Sequence, residues 1–398
     1  MCTRALADLG ARVIKIENPR GGDFARHYDD VVHGLAAHFV WANRGKESIA
    51  VDLKHPDGMA VLHRLLATAD VFVANLAPGA TAALGISPTE LAQRHPDLVV
   101  MEIDGYGAGG PLSHKRAYDL LIQAESGVCA VTGSPGSPAK PGPPIADVGS
   151  GLYAALTILA MICGKRSSAG RTGAATEPAP FTRASVSLFD TAAELMGYQL
   201  TYTRHTGVDQ QPLGMSSPAV APYGAYRTAD CETVVLGTTN DREWQRLARD
   251  LLDRPDLAED PRYAGNLERV RLRAELDTEI AQWCARYDAD TIQARADAAG
   301  IGNSRFRTPS EVIAHPHLAA RRRWREISTP AGPVTALLPP PVIAGFAPPM
   351  GAVPGLGEHT ETVLAAAGFA PSDIAALRDR GAIGTTTSRP SGVTATKG

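Results

Sequence analysis

Val71-Phe72-Val73-Ala74-Asn75-Leu76-Ala77-Pro78-Gly79, followed after a helical piece by Leu98-Val99-Val100-Met101-Glu102-Ile103, is the stretch whose reading decides the fold class. Both Val71 to Val73 and Leu98 to Ile103 read as strands, and the first ends in turn residues. A helical pattern over Pro56 to Ala69 leads into the first strand, so helices and strands alternate. Alternation of that kind predicts an α/β fold built on a parallel, doubly wound sheet.

Upstream, Met1 to Leu9 reads as a helix ended by Gly10, and Arg12-Val13-Ile14-Lys15-Ile16 as a strand. The α/β unit therefore begins on its helix. A glycine-rich loop, Pro19-Arg20-Gly21-Gly22-Asp23, follows that strand, and Asn43-Arg44-Gly45-Lys46 precedes the apolar segment Ile49 to Leu53. Loops after strands are where doubly wound folds bind nucleotides, although Gly-Gly-Asp is equally an ordinary turn.

Downstream, the loop Gly105-Tyr106-Gly107-Ala108-Gly109-Gly110-Pro111 is too glycine-dense for regular structure, and His114-Lys115-Arg116 after it suits either phosphate or solvent. A Pro/Gly/Ser-rich passage from Ser134 to Pro144 then delivers Asp147, at the start of the apolar run Val148 to Ile162. An acid there has two readings. It caps the helix, taking an orphan backbone N–H, or it is catalytic, held ionised by the positive end of the helix with glycines that let a substrate approach.

The passage from Gly164 to Pro180 reads as an exposed loop, and Ser185 to Leu200 as helical. From about Ser216 the texture changes to a hairpin, Tyr223 to Arg227 with Thr233 to Gly237, and amphipathic helices over Glu243 to Leu252 and Leu272 to Tyr287. Pro339-Pro340-Pro341 forms a linker before closing helices at Thr360 to Ala367 and Pro371 to Arg380. These readings divide the chain into a large domain over 1–205, a small α+β domain over 216–328, a linker with closing helices over 329–383, and a disordered tail over 384–398.

The 398 residues are 44% hydrophobic, and Lys+Arg 39 against Asp+Glu 42 leave a net charge of -3, which gives no electrostatic reason to expect nucleic acid or a membrane as partner. Cys2, Cys129, Cys163, Cys231 and Cys284 are scattered without metal-type spacing and read as buried thiols of a reducing cytoplasm. No segment reads as long and charge-free enough to span a bilayer, and no signal peptide is expected.

The ordered set of short motifs resembles the class III CoA-transferases, among them formyl-CoA and carnitine CoA-transferases, a family that also holds the α-methylacyl-CoA racemases. The matching pieces are Leu6 to Ala11 with Val13 to Glu17, Gly22-Asp23 with Arg26, Asn43 to Lys46, Asp52-Leu53-Lys54, Asn75 to Gly79, Leu84-Gly85, Gly105 to Gly107 with Gly110-Pro111, Tyr118-Asp119, Gln123-Ala124 with Gly127, the stretch around Asp147, and Pro354 to Ile383. The resemblance implies a Rossmann-like large domain, an interlocked homodimer, and coenzyme A or acyl-CoA bound as substrate, with no tightly held cofactor and no metal. It puts the CoA contacts on Lys54, Asn75, Leu76 and Arg116, and the catalytic nucleophile on Asp147, with Gly149 and Gly151 as candidate oxyanion donors. Asn18 and Ala83 stand where some members carry basic residues, with Arg20 a possible substitute for the first. The family opens with a strand and loop ahead of the helix that starts here at Met1, so the front reads as truncated.

Three functions follow from that resemblance. The first is CoA transfer from an acyl-CoA such as succinyl-CoA to a small carboxylic or dicarboxylic acid through an aspartyl anhydride and an aspartyl-CoA thioester. The others are racemisation of 2-methylacyl-CoA and a non-catalytic CoA-binding dimer. Racemases carry a histidine at the position of Tyr118, and tyrosine, with its pKa near 10, is a weak base at neutral pH.

Overall fold

Strands form at the apolar runs, and they pair in parallel. In the computed structural model, which describes residues 1–169 and 182–384, Val13–Glu17 lies beside Lys46–Ala50. Val71–Ala74 pairs with Val99–Asp104, which pairs on its other side with Arg183–Ser187. The last strand corrects the helical reading of Ser185 to Leu200. Ala184 and Val186 alternate with Arg183 and Ser185, and a period of two commits the segment to a strand before the helix Leu188–Leu195 begins.

The apolar run after Asp147 becomes the helix Ile145–Ala169, so the passage after Gly164 starts as helix, and its remainder lies outside the described residues. One face of this helix, Ala154, Ala155, Ile158 and Met161, is buried with Cys2, Leu6, Val99 and Met101. Its stretch Ile145–Lys165 is long and apolar enough, by length and composition, to cross a membrane, which corrects the opposite expectation. The helix begins a turn before the apolar run, and the added length brings only Asp147 and Lys165 as charges. Such a composition also suits a helix of a protein core.

By contact the chain divides into two compact units. The first takes Met1–Ser126, Pro143–Leu195 and the described part of Ala319–Gly398; the second takes Gly127–Gly142 and Met196–Leu318. In the first unit the two ends of the chain share a core: Ile49, Val51 and Val61 bury against Val363, Leu364, Ile374, Leu377 and Ile383. The N–H of Asp52 donates to Ala382 O and that of Gly384 to Ala50 O, each at 2.9 Å. Arg26 pairs with the buried Glu17 at 2.7 Å and reaches the Pro354 carbonyl at 3.2 Å.

In the second unit the expected hairpin forms with Tyr223–Arg227 against Thr233–Gly237, and Gly302–Arg305 adds a third antiparallel strand. Helices pack on it through Trp244, Leu247, Leu276, Ile280, Trp283 and Ile292. Cys2 and Cys284 are buried as expected, whereas Cys163 and Cys231 are exposed. Cys163 falls on the outward face of its helix, seven residues after Leu156, and Cys231 occupies a positive-φ position in the hairpin turn.

Candidate active site

The three-stranded parallel sheet brings the C-terminal ends of its strands together, with Ala74 opposite Glu102 and Asp104 opposite Ser187. Ligands of open α/β sheets bind outside that edge. Asn75, the first residue past its strand, donates from Nδ2 to Ile103 O at 2.9 Å, and Leu76 beside it is exposed. Beyond the next strand, Asp104 Oδ1 accepts the Gly107 N–H at 2.5 Å, which folds the glycine loop back on the strand end. Gly105 packs so closely on Ala117 that a Cβ at 105 would lie 2.4 Å from the Ala117 Cβ, so the segment carrying Arg116 borders the same edge.

Arg116 and Lys54 are exposed, and among the described residues neither head group meets a carboxylate. Lys54 follows Leu53, which packs against the cluster of Leu62, Leu66, Ile86, Leu91, Leu98 and Val100, and its backbone N–H donates to Asp52 Oδ1 at 2.9 Å. Lys115, by contrast, sits 3.5 Å from Glu125 and 5.7 Å from the Tyr106 ring centre. Asn18 and Arg20 are both exposed, and Asn18 Oδ1 accepts the Arg20 N–H at 2.8 Å.

Asp147 lies in the first turn of Ile145–Ala169, but the capping is done by another acid. Asp119 Oδ1 accepts the N–H groups of Ala146 and Asp147 at 3.0 and 3.3 Å. Asp119 Oδ2 accepts from Nε2 of Gln123 at 2.5 Å, and Gln123 is fully buried. The Asp147 carboxylate thus accepts no hydrogen bond among the described residues. Its side chain is open to solvent. Burial pushes its carboxyl above the ordinary value, the charge of Asp119 adds to the push, and the Met1 amino group and His38 pull partly back.

Gly149 and Gly151 are in the body of the helix, where N–H groups point along the axis to carbonyls one turn back. That corrects their reading as oxyanion donors. Their job is close packing: a Cβ at Gly149 would lie 2.9 Å from Thr191 Cγ2, and one at Gly151 would lie 2.7 Å from Met1 Cβ. The helix is wedged between Cys2–Asp8 and Leu188–Leu195, which fixes where Asp147 stands.

Sequence reasoning gave no role to Asp119, Gln123 or His38. The first two had a signal, an acid and an amide four apart at the start of the helix Asp119–Glu125. The motif Asn43 to Lys46 serves the scaffold: Arg44 forms a buried pair with Asp8 at 2.8 Å, and Lys46 donates to Asn43 Oδ1 at 2.9 Å. Burial pushes the Lys46 ammonium down to about 7. Tyr118, just before the Asp119 helix, is exposed. Among the described residues no three His, Cys, Asp or Glu side chains gather as a metal site would require.

Comparison with known proteins follows the same lines. The model of CoA-transferase family III matches residues 1–360. The chain is 33% identical to the succinate–glutarate CoA-transferase of Agrobacterium fabrum, over 90% of this chain and 90% of that protein. It is 32% identical to the succinyl-CoA–D-citramalate CoA-transferase of Chloroflexus aurantiacus, over 81% of this chain and 78% of that protein. A CAIB/BAIF family protein from Brucella suis superposes with a TM-score of 0.75 at 28% identity, covering 91% of this chain and 93% of that one. The parallel α/β architecture, the motif order along the sheet edge and these likenesses agree: the chain belongs to CoA-transferase family III and is a CoA-transferase.

Proposed function

We propose that the chain moves CoA from an acyl-CoA, with succinyl-CoA the first donor to test, to a small carboxylic or dicarboxylic acid, with Asp147 as the nucleophile. The observation that carries this reading is the uncapped, unbonded carboxylate of Asp147 at the start of the long helix, where Asp119 already occupies the N–H groups. The relatives named for succinate, glutarate and citramalate support the choice of acids.

The Asp147 carboxylate attacks the thioester carbonyl, and the C–S bond breaks to give an acyl-aspartyl anhydride and CoA thiolate. Thiolate attacks the aspartyl carbonyl and releases the donor acid. The acceptor carboxylate then opens the aspartyl-CoA thioester, forming a second anhydride, and the returning thiolate takes the acceptor acyl group and restores Asp147. No net proton is needed, so Tyr118 has no acid/base task here. Water must be kept from the anhydride, which it would hydrolyse.

CoA would lie along the edge of a Rossmann-like large domain, 1–205, with Lys54 and Arg116 toward phosphate oxygens and Asn75 and Leu76 at the turn. Residues 216–328 would form the small domain and 329–383 the closing segment. The working form would be an interlocked homodimer. Supporting it, Leu152, Leu156 and Leu159 make an exposed stripe on the long helix, with Leu120 and Leu121 exposed on the neighbouring one.

A panel of acids offered with succinyl-CoA tests the activity. Asp147→Ala should reduce transfer to background, and hydroxylamine should modify Asp147 only when acyl-CoA is present. Full transfer by Asp147→Ala would end the reading.

A further inference from the structure

The carboxylate pair at the start of the long helix goes beyond a cap. We propose that Asp119, clamped by the buried Gln123, is a positioning residue that frees the Asp147 carboxylate from capping and holds a second negative charge beside it, favouring the acyl-bearing forms of Asp147 over the ionised one. The proposal rests on the reading of Asp147 as nucleophile.

The geometry gives Asp119 both halves of that task. Its Oδ1 takes two helix-start N–H groups and its Oδ2 takes the Gln123 amide, so the carboxylate cannot turn away to solvent. Gln123 is itself locked, with no exposed surface and its Oε1 without a partner. Asp147 is left with a like charge as its neighbour. Two carboxylates sharing a site resist ionising together, and relieving one of them is favourable. Acylation of Asp147 does this, because the anhydride and the CoA thioester are both neutral at that side chain.

Other groups reach Asp147 too. The Met1 amino group, ahead of Cys2–Asp8, and His38, from Ala37–Asn43, favour its ionised form, while Leu188–Leu195 presents only Thr191 and Leu195 at Gly149. Burial and Asp119 outweigh them, since the net displacement of the Asp147 carboxyl is upward.

The test is Asp119→Asn in the full chain. Asparagine caps helices as well as aspartate does and keeps an oxygen for the N–H groups, while its amide can donate to the unpartnered Gln123 Oε1 once that amide turns over, so the charge is the main loss. The expected result is a fall in kcat of about tenfold, with KM for acyl-CoA unchanged. The acid limb of the kcat/KM profile moves to lower pH, and less Asp147 is trapped by hydroxylamine in the presence of acyl-CoA. Gln123→Leu leaves the charge but loosens it, and should give a smaller loss of kcat than Asp119→Asn. Wild-type kcat and an unmoved pH profile in Asp119→Asn would overturn the proposal and leave a cap alone. If the wild type traps nothing at Asp147, the nucleophile reading itself fails, and this proposal with it.

Discussion

Folding holds Asp147 against its own charge. Burial and Asp119 raise its carboxyl above the ordinary 3.8, so between that value and the folded one the native state binds more proton than the unfolded chain. Stability therefore falls as pH rises through that window, and the full penalty stands above it. Asp147→Asn should melt higher than wild type at pH 7, with the gain vanishing below the ordinary carboxylate range; a melting temperature equal to wild type at pH 7 would contradict this. Tyr118→Phe, at an exposed side chain, should keep at least half of the transfer rate, and loss of transfer would give the hydroxyl a role. Asp147 was legible as a candidate because an acid at the head of an apolar run has few jobs. Its neighbours were not, since Asp119 lies 28 positions away and meets it only through the fold.

The long helix owes its position to the two glycines near its start. A methyl at Gly151 would lie 2.7 Å from Met1 Cβ and 2.9 Å from the Cys2 backbone N, and backbone cannot step aside as a flexible side chain can. Gly151→Ala should cost about 1–3 kcal/mol of stability and lower kcat by displacing the first turn; denaturant midpoint and kcat measured on the same preparation check both. An unchanged midpoint would mean that the neighbouring helix moves freely. Val13–Glu17, Val71–Ala74 and Val99–Asp104 were readable, because their apolar runs are flanked by turns, whereas Lys46–Ala50 was read only as an apolar segment over Ile49 to Leu53, since its first residues are polar. Arg183–Ser187 was not readable, because its alternation lasts only five residues and runs straight into a helical pattern.

At the scale of the molecule, the long helix leaves a stripe of leucines in water: Leu152 is 49% and Leu156 64% exposed. In the proposed homodimer that stripe is covered. Leu156→Glu should shift sedimentation at micromolar concentration from dimer to monomer while changing the fold of one chain little, as surface substitutions do. A dimer that survives the substitution would move the interface elsewhere. The helix was foreseeable and its outward leucines were visible in the sequence, but which face the core would claim was set by contacts with Cys2, Leu6, Val99 and Met101, which no local pattern encodes.

The shared core of the two chain ends also sets an order of events on the ribosome. Ile49, Val51 and Val61 are buried by Val363, Leu364, Ile374, Leu377 and Ile383, so the front of the first unit emerges long before the residues that cover it. At typical synthesis rates the wait is roughly 15–65 s, during which the strand Lys46–Ala50 stands without its C-terminal cover. The hairpin and helices of the second unit, continuous from Met196 to Leu318 apart from the short Gly127–Gly142 piece, have all their residues available earlier. A nascent chain stalled near residue 360, with Leu318 clear of the ribosome, should therefore show a protease-resistant middle and a cleavable front, and release of the completed chain should protect both.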